Sequence, residues 1–168
     1  MTYTRTRGGH TMTVNAPANA AEFDPAAFAA FAGFAASDLV LGLDVETRAI
    51  VKGGPGHFGP DAGVRLVQFG TPTAAWVLNP LIPEQHRAIT EVLADERRRF
   101  VTHTSYDVLA VWSAFGIGLG HRVIDTHLLS KLLAPDERAG HGLKELTSRY
   151  LDDGLRTPIA MTSGAASR

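Results

Sequence analysis

The stretch Leu39-Val40-Leu41-Gly42-Leu43-Asp44-Val45-Glu46-Thr47 decides the fold. Five of its residues are Leu or Val and none before Thr47 favours a turn, so it predicts a buried strand. Side chains alternate along a strand, so Asp44 and Glu46 point to the same face. Two like charges on one face repel, and a divalent cation between them would remove that cost. The spacing alone leaves two interpretations open, a magnesium or manganese site or two solvated acids.

Length and composition indicate one globular domain. A chain of 168 residues buries roughly 70% of the surface that its unfolded form exposes. The absence of cysteine excludes disulfides, zinc-thiolate sites and thiol nucleophiles, and a net charge of −1 gives no strong basic field for nucleic acid. Residues 53–60 are Gly-rich but lack the Gly-Lys-Ser/Thr ending of a phosphate-binding loop. With no membrane-length apolar run and no signal peptide pattern, we expect a cytoplasmic protein without a membrane partner.

Three short segments extend the sheet. Residues 11–14 alternate briefly and predict a short edge strand. Residues 64–70 and 74–78, joined by Thr-Pro-Thr, predict two strands that form an antiparallel meander with the first. Gln68 and Trp76 lie in these strands and are interpreted as packing or sheet-surface residues.

Helical segments alternate with one further strand. Asp24 is expected to cap a helix over residues 26–36, and Pro83 opens a second helix. The basic residues 97–99 are interpreted as the solvated end of that second helix, where positive charge suits the dipole. Residues 100–102 predict the strand that follows.

The last three helices are expected to bury apolar stripes. Their inward residues are Val108, Leu109, Val111, Trp112 and Phe115 in the first helix, Leu128, Leu129, Leu132 and Leu133 in the second, and Leu143, Leu146, Tyr150 and Leu151 in the third.

Asp107 lies in the first turn of the helix that begins after Thr104. Thr104 and Asp107 have the spacing of a capping box, and an acid in this turn suits the helix dipole. Considered alone, the pattern favours a capping role for Asp107 over a metal ligand.

Two short motifs resemble those of the 3'-5' exonucleases that have an Asp-Glu-Asp-Asp metal site. Asp44-Val45-Glu46-Thr47 resembles their first motif, Asp-x-Glu-Thr, and His103-Thr104-Ser105-Tyr106-Asp107 resembles the second, Asn-x-x-Tyr/Phe-Asp. The Asp-Thr helix from Asp125 and the Gly-Leu helix that ends in Tyr150-Leu151 resemble the next part of the proofreading domain of family A DNA polymerases.

The resemblance implies a fold, a site and a cofactor. The fold is ribonuclease H-like, an α/β class with a mixed sheet and flanking helices, truncated at its C-terminus. Asp44, Glu46 and Asp107 would be the catalytic carboxylates and would hold two Mg2+ or Mn2+ ions. Thr47, His103 and Tyr106 would contact substrate, with His103 standing where the family has Asn. The domain would span residues 11–155, between a disordered N-terminus (1–10) and a tail (156–168).

One family motif has no counterpart. The Tyr-x-x-x-Asp that supplies the fourth carboxylate is missing after Leu151, and Asp152 and Asp153 lie at the wrong spacing. Three functions therefore remain open. They are a proofreading-type exonuclease acting on single-stranded DNA 3' ends beside a DNA polymerase domain or subunit, an incomplete copy that folds and binds a cation or DNA without cutting, and a ribonuclease D-type RNA exonuclease.

Overall fold

The computed structural model describes residues 1–7, 10–47, 63–138 and 140–151. The Gly-rich segment 53–60 lies outside these residues, as do Asp152, Asp153 and the expected tail at 156–168.

A mixed sheet of seven strands forms the centre of the described chain. In space the strands run β1-β2-β5-β4-β3-β6-β7. The strands β3, β4 and β5 form the expected antiparallel meander, whereas β2 joins β5 in parallel and β6 and β7 continue in parallel from β3. The strands are β1 (Thr2–Arg7), β2 (His10–Asn15), β3 (Val40–Thr47), β4 (Val64–Gly70), β5 (Ala74–Leu78), β6 (Arg99–Thr102) and β7 (Val123–Asp125).

The apolar core lies between one face of the sheet and the first three helices. Leu41, Leu43 and Val45 of β3 are each at most 6% exposed and pack in one cluster with residues of these helices. Asp24 caps the first helix as predicted, because its Oδ1 accepts a 2.8 Å hydrogen bond from the Ala27 N–H. The helices are α1 (Pro25–Ser37), α2 (Pro83–Ala94), α3 (Ser105–Phe115), α4 (Thr126–Leu133) and α5 (Leu143–Tyr150), with a 3-10 turn at Gly120–Arg122.

No helix in the described ranges is long and apolar enough to cross a membrane.

The N-terminus corrects one expectation, because residues 2–7 form strand β1 where disorder was expected. It pairs with β2 along its whole length, from Thr2↔Asn15 to Arg7↔His10, so β2 lies inside the sheet and is not an edge strand. The backbone groups of β1 form hydrogen bonds with β2, where those of a disordered segment would bond to water. The hydroxyl groups of Thr6 and Thr11 also form a 2.9 Å hydrogen bond between the two strands.

The second difference from the sequence prediction concerns which faces of the last three helices are buried. On α3 the predictions for Val108, Val111 and Phe115 are confirmed, because these side chains pack in or against the core, whereas Leu109 and Trp112 are 46% and 62% exposed. Asp107 and Ala110 complete the buried face. On α4 all four leucines are exposed and Ser130 is buried, and on α5 only Leu146 is buried. Periodicity identified these helices, but it did not identify what packs against them.

The basic residues 97–99 are not the solvated end of α2, which is the third difference from the sequence prediction. The helix α2 ends at Ala94, and the side chain of Arg98 is buried in the core instead of ending a helix in solvent. Its Nη1 donates to the carbonyl oxygens of Ala35 and Asp38, and its Nε lies 3.1 Å from Asp95 Oδ2 without hydrogen-bond alignment. Arg98 therefore ties the end of α1 to the turn after α2.

Replacing Arg98 should destabilise the protein far more than replacing its neighbour Arg97. Arg98→Met leaves the Ala35 carbonyl and the Asp38 carbonyl without their partner, so we expect a loss of about 2–4 kcal/mol in the free energy of unfolding. Arg97 pairs with Asp95 at the surface, where solvent screens the ion pair, so Arg97→Met should change the free energy of unfolding far less. Urea unfolding of both variants measures the difference, and equal losses would contradict this role of Arg98.

Candidate active site

The end of β3 carries the two acids of the first motif. Residues 41, 43 and 45 are buried while Asp44 and Glu46 are exposed, so both acids lie on the face away from the core. The pairing register with β4 shifts between Glu46 and Thr47, which marks an irregularity where the strand ends. The predicted same-face arrangement is confirmed, and the role of the two acids stays a prediction.

Asp107 lies on the buried side of α3 and is only 7% exposed. Burial, followed by the negative charge of Asp44, raises the pKa of Asp107 to about 6, and Glu46 and Asp125 add to the rise. A hydrogen bond from the backbone N–H of Val45 acts in the opposite direction. The charges of Asp44 and Glu46 therefore both act on Asp107 near the end of β3.

The structure does not support the capping box predicted for Thr104 and Asp107. Thr104 occupies the N-cap position of α3 but makes no side-chain capping hydrogen bond. The Asp107 carboxylate instead accepts from Val45 of β3. A buried acid that faces a strand end among other acids fits a ligand-binding group better than a solvated helix cap.

Gln68 contacts the site, although the sequence indicated only a packing residue. It lies directly opposite Asp44 in the β3–β4 pair, and its Nε2 donates to Asp44 Oδ2 at 2.5 Å. Although Asp44 is exposed at the sheet surface, partial burial of its carboxyl group raises the pKa of Asp44. The amide of Gln68 thus orients one oxygen of Asp44 and leaves the other available for a ligand.

His103 follows β6 and forms a hydrogen bond to the start of α4. Its Nδ1 lies 3.0 Å from Thr126 Oγ1, whose proton is given to the Thr102 carbonyl oxygen at 2.9 Å. The Nδ1 of His103 must therefore carry the proton, which leaves its Nε2 as an acceptor. Burial and then the nearby His127 lower the pKa of His103, so the neutral ring is favoured.

Thr47 and Tyr106 meet between β3 and α3. Their hydroxyl oxygens are 3.4 Å apart, and either group can donate. This contact joins the two segments that resemble the first and second motifs. Whether either residue contacts substrate stays a prediction.

Two further histidines, His127 and His141, were not singled out in the sequence. The ring centroids of His103 and His127 are 5.5 Å apart, and those of His127 and His141 are 6.3 Å apart. The Nδ1 of His127 donates to the His141 carbonyl oxygen, and the Nδ1 of His141 donates to Ser130 Oγ. These bonds hold the loop before α5 against α4.

A cavity of about 420 Å³ opens on the sheet face that bears Asp44. Asp44, Gln68 and His103 line it, and Gly42 and Gly70 form part of its floor, because they face each other in the β3–β4 pair. The lining residues do not include Glu46 or Asp107. The cavity therefore reaches one of the three motif acids.

The donor set suits a hard divalent cation, since carboxylate oxygens are the ligands that Mg2+ and Mn2+ prefer. The raised pKa of Asp107 also reports the negative charges of nearby acids, which a bound cation would neutralise. Among the residues that the structure describes, no three His, Asp or Glu side chains are grouped closely enough to hold one ion. The chemistry of the site fits a metal, while the complete coordination shell is not formed.

Comparison with known proteins identifies the family. The family model for the 3'-5' exonuclease matches residues 24–166, which include all three motif acids. The chain belongs to the 3'-5' exonuclease family. The sequence resemblance is confirmed, and the match is to the exonuclease type found in DNA polymerases.

Individual relatives agree with this assignment. The exonuclease domain is 35% identical over 100 residues to the DNA polymerase of Mycobacterium phage L5, a match that covers 53% of this chain and 16% of the polymerase. The chain thus spans about a sixth of the length of this curated relative.

Solved structures bear out the predicted mixed α/β fold. Escherichia coli RNase D matches with a TM-score of 0.64 at 16% identity, over 89% of this chain and 36% of that one. Brucella melitensis NrnC matches with a TM-score of 0.56 at 21% identity, over 86% and 61% of the two chains. At these identities the likeness shows the fold of the exonuclease domain.

Asp107→Asn should stabilise the metal-free domain at pH 7. The folded state raises the pKa of Asp107 from 3.8 to about 6, so between these values the folded protein binds more protons than the unfolded chain. The free energy of unfolding then falls as the pH rises through this window. Asparagine removes the buried charge and keeps an oxygen for the Val45 N–H. We expect a gain of up to about 3 kcal/mol, at about 1.4 kcal/mol per pKa unit.

Urea unfolding in EDTA at several pH values measures this gain. It should shrink towards zero below about pH 4, where the carboxyl group is protonated in both states. Asp136→Asn, at an exposed position after α4, is the control and should change the free energy of unfolding by less than about 0.5 kcal/mol. A loss of stability in Asp107→Asn at pH 7 would contradict the buried-charge account.

Proposed function

We propose that this domain removes nucleotides from the 3' end of single-stranded DNA by metal-dependent hydrolysis of the phosphodiester bond. The observation that carries the proposal is the placement of Asp44 and Glu46 on one face at the end of β3, near the buried Asp107, whose pKa both acids raise. Concentrated acids destabilise a metal-free protein, and they fit a reaction that uses divalent cations. The family match and the DNA polymerase relative support DNA as the substrate.

Asp44, Glu46 and Asp107 would hold the Mg2+ or Mn2+ ions. Bound ions of this kind supply an activated water and stabilise the leaving oxygen. Brucella melitensis NrnC has been solved with bound Mg2+, which supports this choice of cofactor. Gln68 would keep the Asp44 carboxylate in one orientation through the hydrogen bond between them.

The other motif residues would act on the substrate. His103 lines the cavity beside Asp44 and presents a neutral ring with a free Nε2 lone pair, so it can accept a hydrogen bond from a base or sugar. Thr47 and Tyr106 would border the terminal nucleotide from the junction of β3 and α3. In a longer polypeptide like its relative, the domain would act beside a DNA polymerase domain.

A second function is favoured by one specific observation. Of the three motif acids, Asp44 alone lines the cavity on the sheet face. The described residues likewise contain no group of three ligands close enough for one ion. An incomplete copy of the domain would bind cations or DNA but would not cut.

Metal-dependent trimming of a 5'-labelled single-stranded DNA separates the two functions. An active exonuclease should shorten the strand from its 3' end with Mn2+ or Mg2+ and stop in EDTA. Asp44→Asn should lower the rate by more than about 100-fold, because loss of a direct ligand should exceed the 10- to 100-fold effect of outer-shell changes. Asp136→Asn is the matched control and should keep full activity.

An incomplete copy gives the opposite pattern. The folded protein would bind Mn2+, seen by titration calorimetry, with affinity lowered in Asp44→Asn, and would leave the DNA intact. Activity that is equal in Asp44→Asn and wild type would contradict the assignment of the site.

The substrate class is tested by mixing labelled DNA and labelled RNA strands of the same sequence and comparing the rates at which the protein trims them. RNase D is described as an exoribonuclease involved in structured RNA processing, but its likeness to this chain extends to the fold alone. We expect the DNA strand to be trimmed faster. Faster trimming of RNA would favour the ribonuclease D-type function.

A further inference from the structure

His103 and Thr126 lie side by side in the wall of the cavity on the sheet face that bears Asp44. The strands β6 and β7 run in parallel with Thr102 paired to Asp125, so His103 and Thr126 are the next residues along the chain after this pair. The Asp125 carboxylate accepts hydrogen bonds from two backbone N–H groups of α4, which fixes the first turn of that helix. The pairing of the sheet therefore determines where the hydroxyl group of Thr126 meets the ring of His103.

The hydroxyl group of Thr126 fixes which ring nitrogen of His103 carries the proton. Its oxygen lies 2.9 Å from the carbonyl oxygen of Thr102 and 3.0 Å from Nδ1 of His103. A carbonyl oxygen only accepts and a threonine hydroxyl has one proton, so Thr126 donates to Thr102 and His103 donates to Thr126. Because the hydrogen bond of one ring nitrogen sets the state of the other, Nε2 of His103 keeps its lone pair as an acceptor.

The surroundings of His103 favour the neutral ring that this arrangement requires. Burial is the main cause that lowers the pKa of His103, and the nearby His127 adds to it. Asp125 and Glu145 act in the opposite direction without reversing the change. The ring of His127 lies edge to face with that of His103 at a centroid distance of 5.5 Å, but its Nδ1 proton is given to the carbonyl oxygen of His141.

A neutral ring with Nε2 as the acceptor restricts which part of a nucleotide can lie against His103. Phosphate oxygens of the DNA backbone also only accept, so a phosphate there would place two lone pairs against each other. A hydroxyl group of the sugar or an amino group of the base can donate, and either group satisfies Nε2. The phosphate then lies toward Asp44 and the metal ions, and the donor group of the nucleotide lies toward His103.

We propose that Thr126 is a positioning residue of the candidate active site, which holds His103 with Nδ1 protonated so that Nε2 accepts a hydrogen bond from the terminal nucleotide of the bound strand. The group that donates is either the 3' hydroxyl of the sugar or an amino group of the base. Thr126 acts through His103 and does not itself contact the nucleotide. The inference rests on the proposed function, because a bound 3' end supplies the donor.

The protonation of the His103 ring tests the inference without any substrate. In two-bond 15N–1H spectra of the 168-residue chain at pH 7, Nδ1 should give the signal of a protonated nitrogen and Nε2 that of an unprotonated one. The variant His103→Phe identifies these signals among those of the seven histidines, because they disappear. A His103 ring that is protonated at Nε2, or at both nitrogens, overturns the inference.

Two substitutions at position 126 separate the effect of the hydroxyl group from that of side-chain size. Thr126→Val keeps the size but removes the acceptor of the Nδ1 proton, so His103 should move toward the tautomer protonated at Nε2, whose proton water in the cavity can accept. Thr126→Ser should retain the wild-type signals. A Thr126→Val variant that has the wild-type tautomer overturns the positioning role.

Thr90→Val is the matched control for the loss of a threonine hydroxyl. The Thr90 hydroxyl also donates to a backbone carbonyl, that of His86, at 2.8 Å. Thr90 lies on α2, whose buried residues pack in the core. The His103 signals of this variant should match those of the wild type, and an equal change in Thr90→Val and Thr126→Val would contradict the specific role of Thr126.

Binding of modified DNA ends identifies the group that donates to His103. Three 5'-labelled strands are compared by fluorescence anisotropy with Ca2+ as the cation: one ends in deoxyadenosine, one lacks the 3' hydroxyl, and one has a terminal purine without the amino group. The wild type should bind one of the two modified strands about 2- to 10-fold more weakly than the unmodified strand, the range expected for one hydrogen bond. The strand that binds more weakly identifies the donor.

The same comparison in the variants assigns the lost affinity to His103. The difference between strands should disappear in Thr126→Val and persist in Thr126→Ser and Thr90→Val. If Thr126→Val does not fold, as judged by circular dichroism, His103→Phe replaces it, because this variant lacks the acceptor. Equal affinity of the wild type for all three strands overturns the inference, as does a difference that persists in the variant without the hydroxyl or the acceptor.

These measurements separate the inference from the proposed hydrolysis. A protein that prefers the strand with the donor but trims no DNA would contradict the hydrolysis and support the role of Thr126. A protein that trims DNA but binds all three strands equally would support the hydrolysis and overturn the role of Thr126. A chain that binds none of the strands contradicts both.

Discussion

The alternation of β3 is the constraint on which the rest of the structure depends. The strand pairs with β4 on one side and with β6 on the other, so it cannot slip without breaking two ladders. Its register places Leu41, Leu43 and Val45 in the core and Asp44 and Glu46 on the opposite face. A shift by one residue would bury both acids and expose the apolar residues, so the packing of the core also fixes the site.

Several acids lie close together at the site, and burying one of them lowers the stability of the metal-free fold. Asp107 is on the inner face of α3, and the raised pKa of its carboxyl group reports burial near other acids. One hydrogen bond from Gln68 and one from the Val45 backbone orient Asp44 and Asp107. A structure optimised for stability alone would have an apolar residue at 107, so the cost is understandable where the acids serve a cation.

Hydrogen bonds cap and connect the last two helices. Asp125 caps α4 through the N–H groups of His127 and Leu128, and the histidine bonds hold α5 against α4. Most of their leucines remain in contact with solvent. Polar contacts therefore help to position these helices, whose leucines are mostly exposed.

The sequence by itself determined the strand β3, the meander, the positions of most helices and the three motif acids, because these follow from local periodicity, capping and short motifs. It determined the buried face of α3 only in part and did not determine the buried faces of α4 and α5, since an apolar stripe indicates a contact but does not identify the element that packs on it. Nor did it reveal the β1–β2 hairpin, although Gly8-Gly9 between two alternating runs is typical of a hairpin turn. Only the tertiary structure decided that Gln68 holds Asp44, that Arg98 is buried and that Asp107 faces β3. These contacts join residues up to 63 positions apart in the chain, and such distances in sequence carry no local signal.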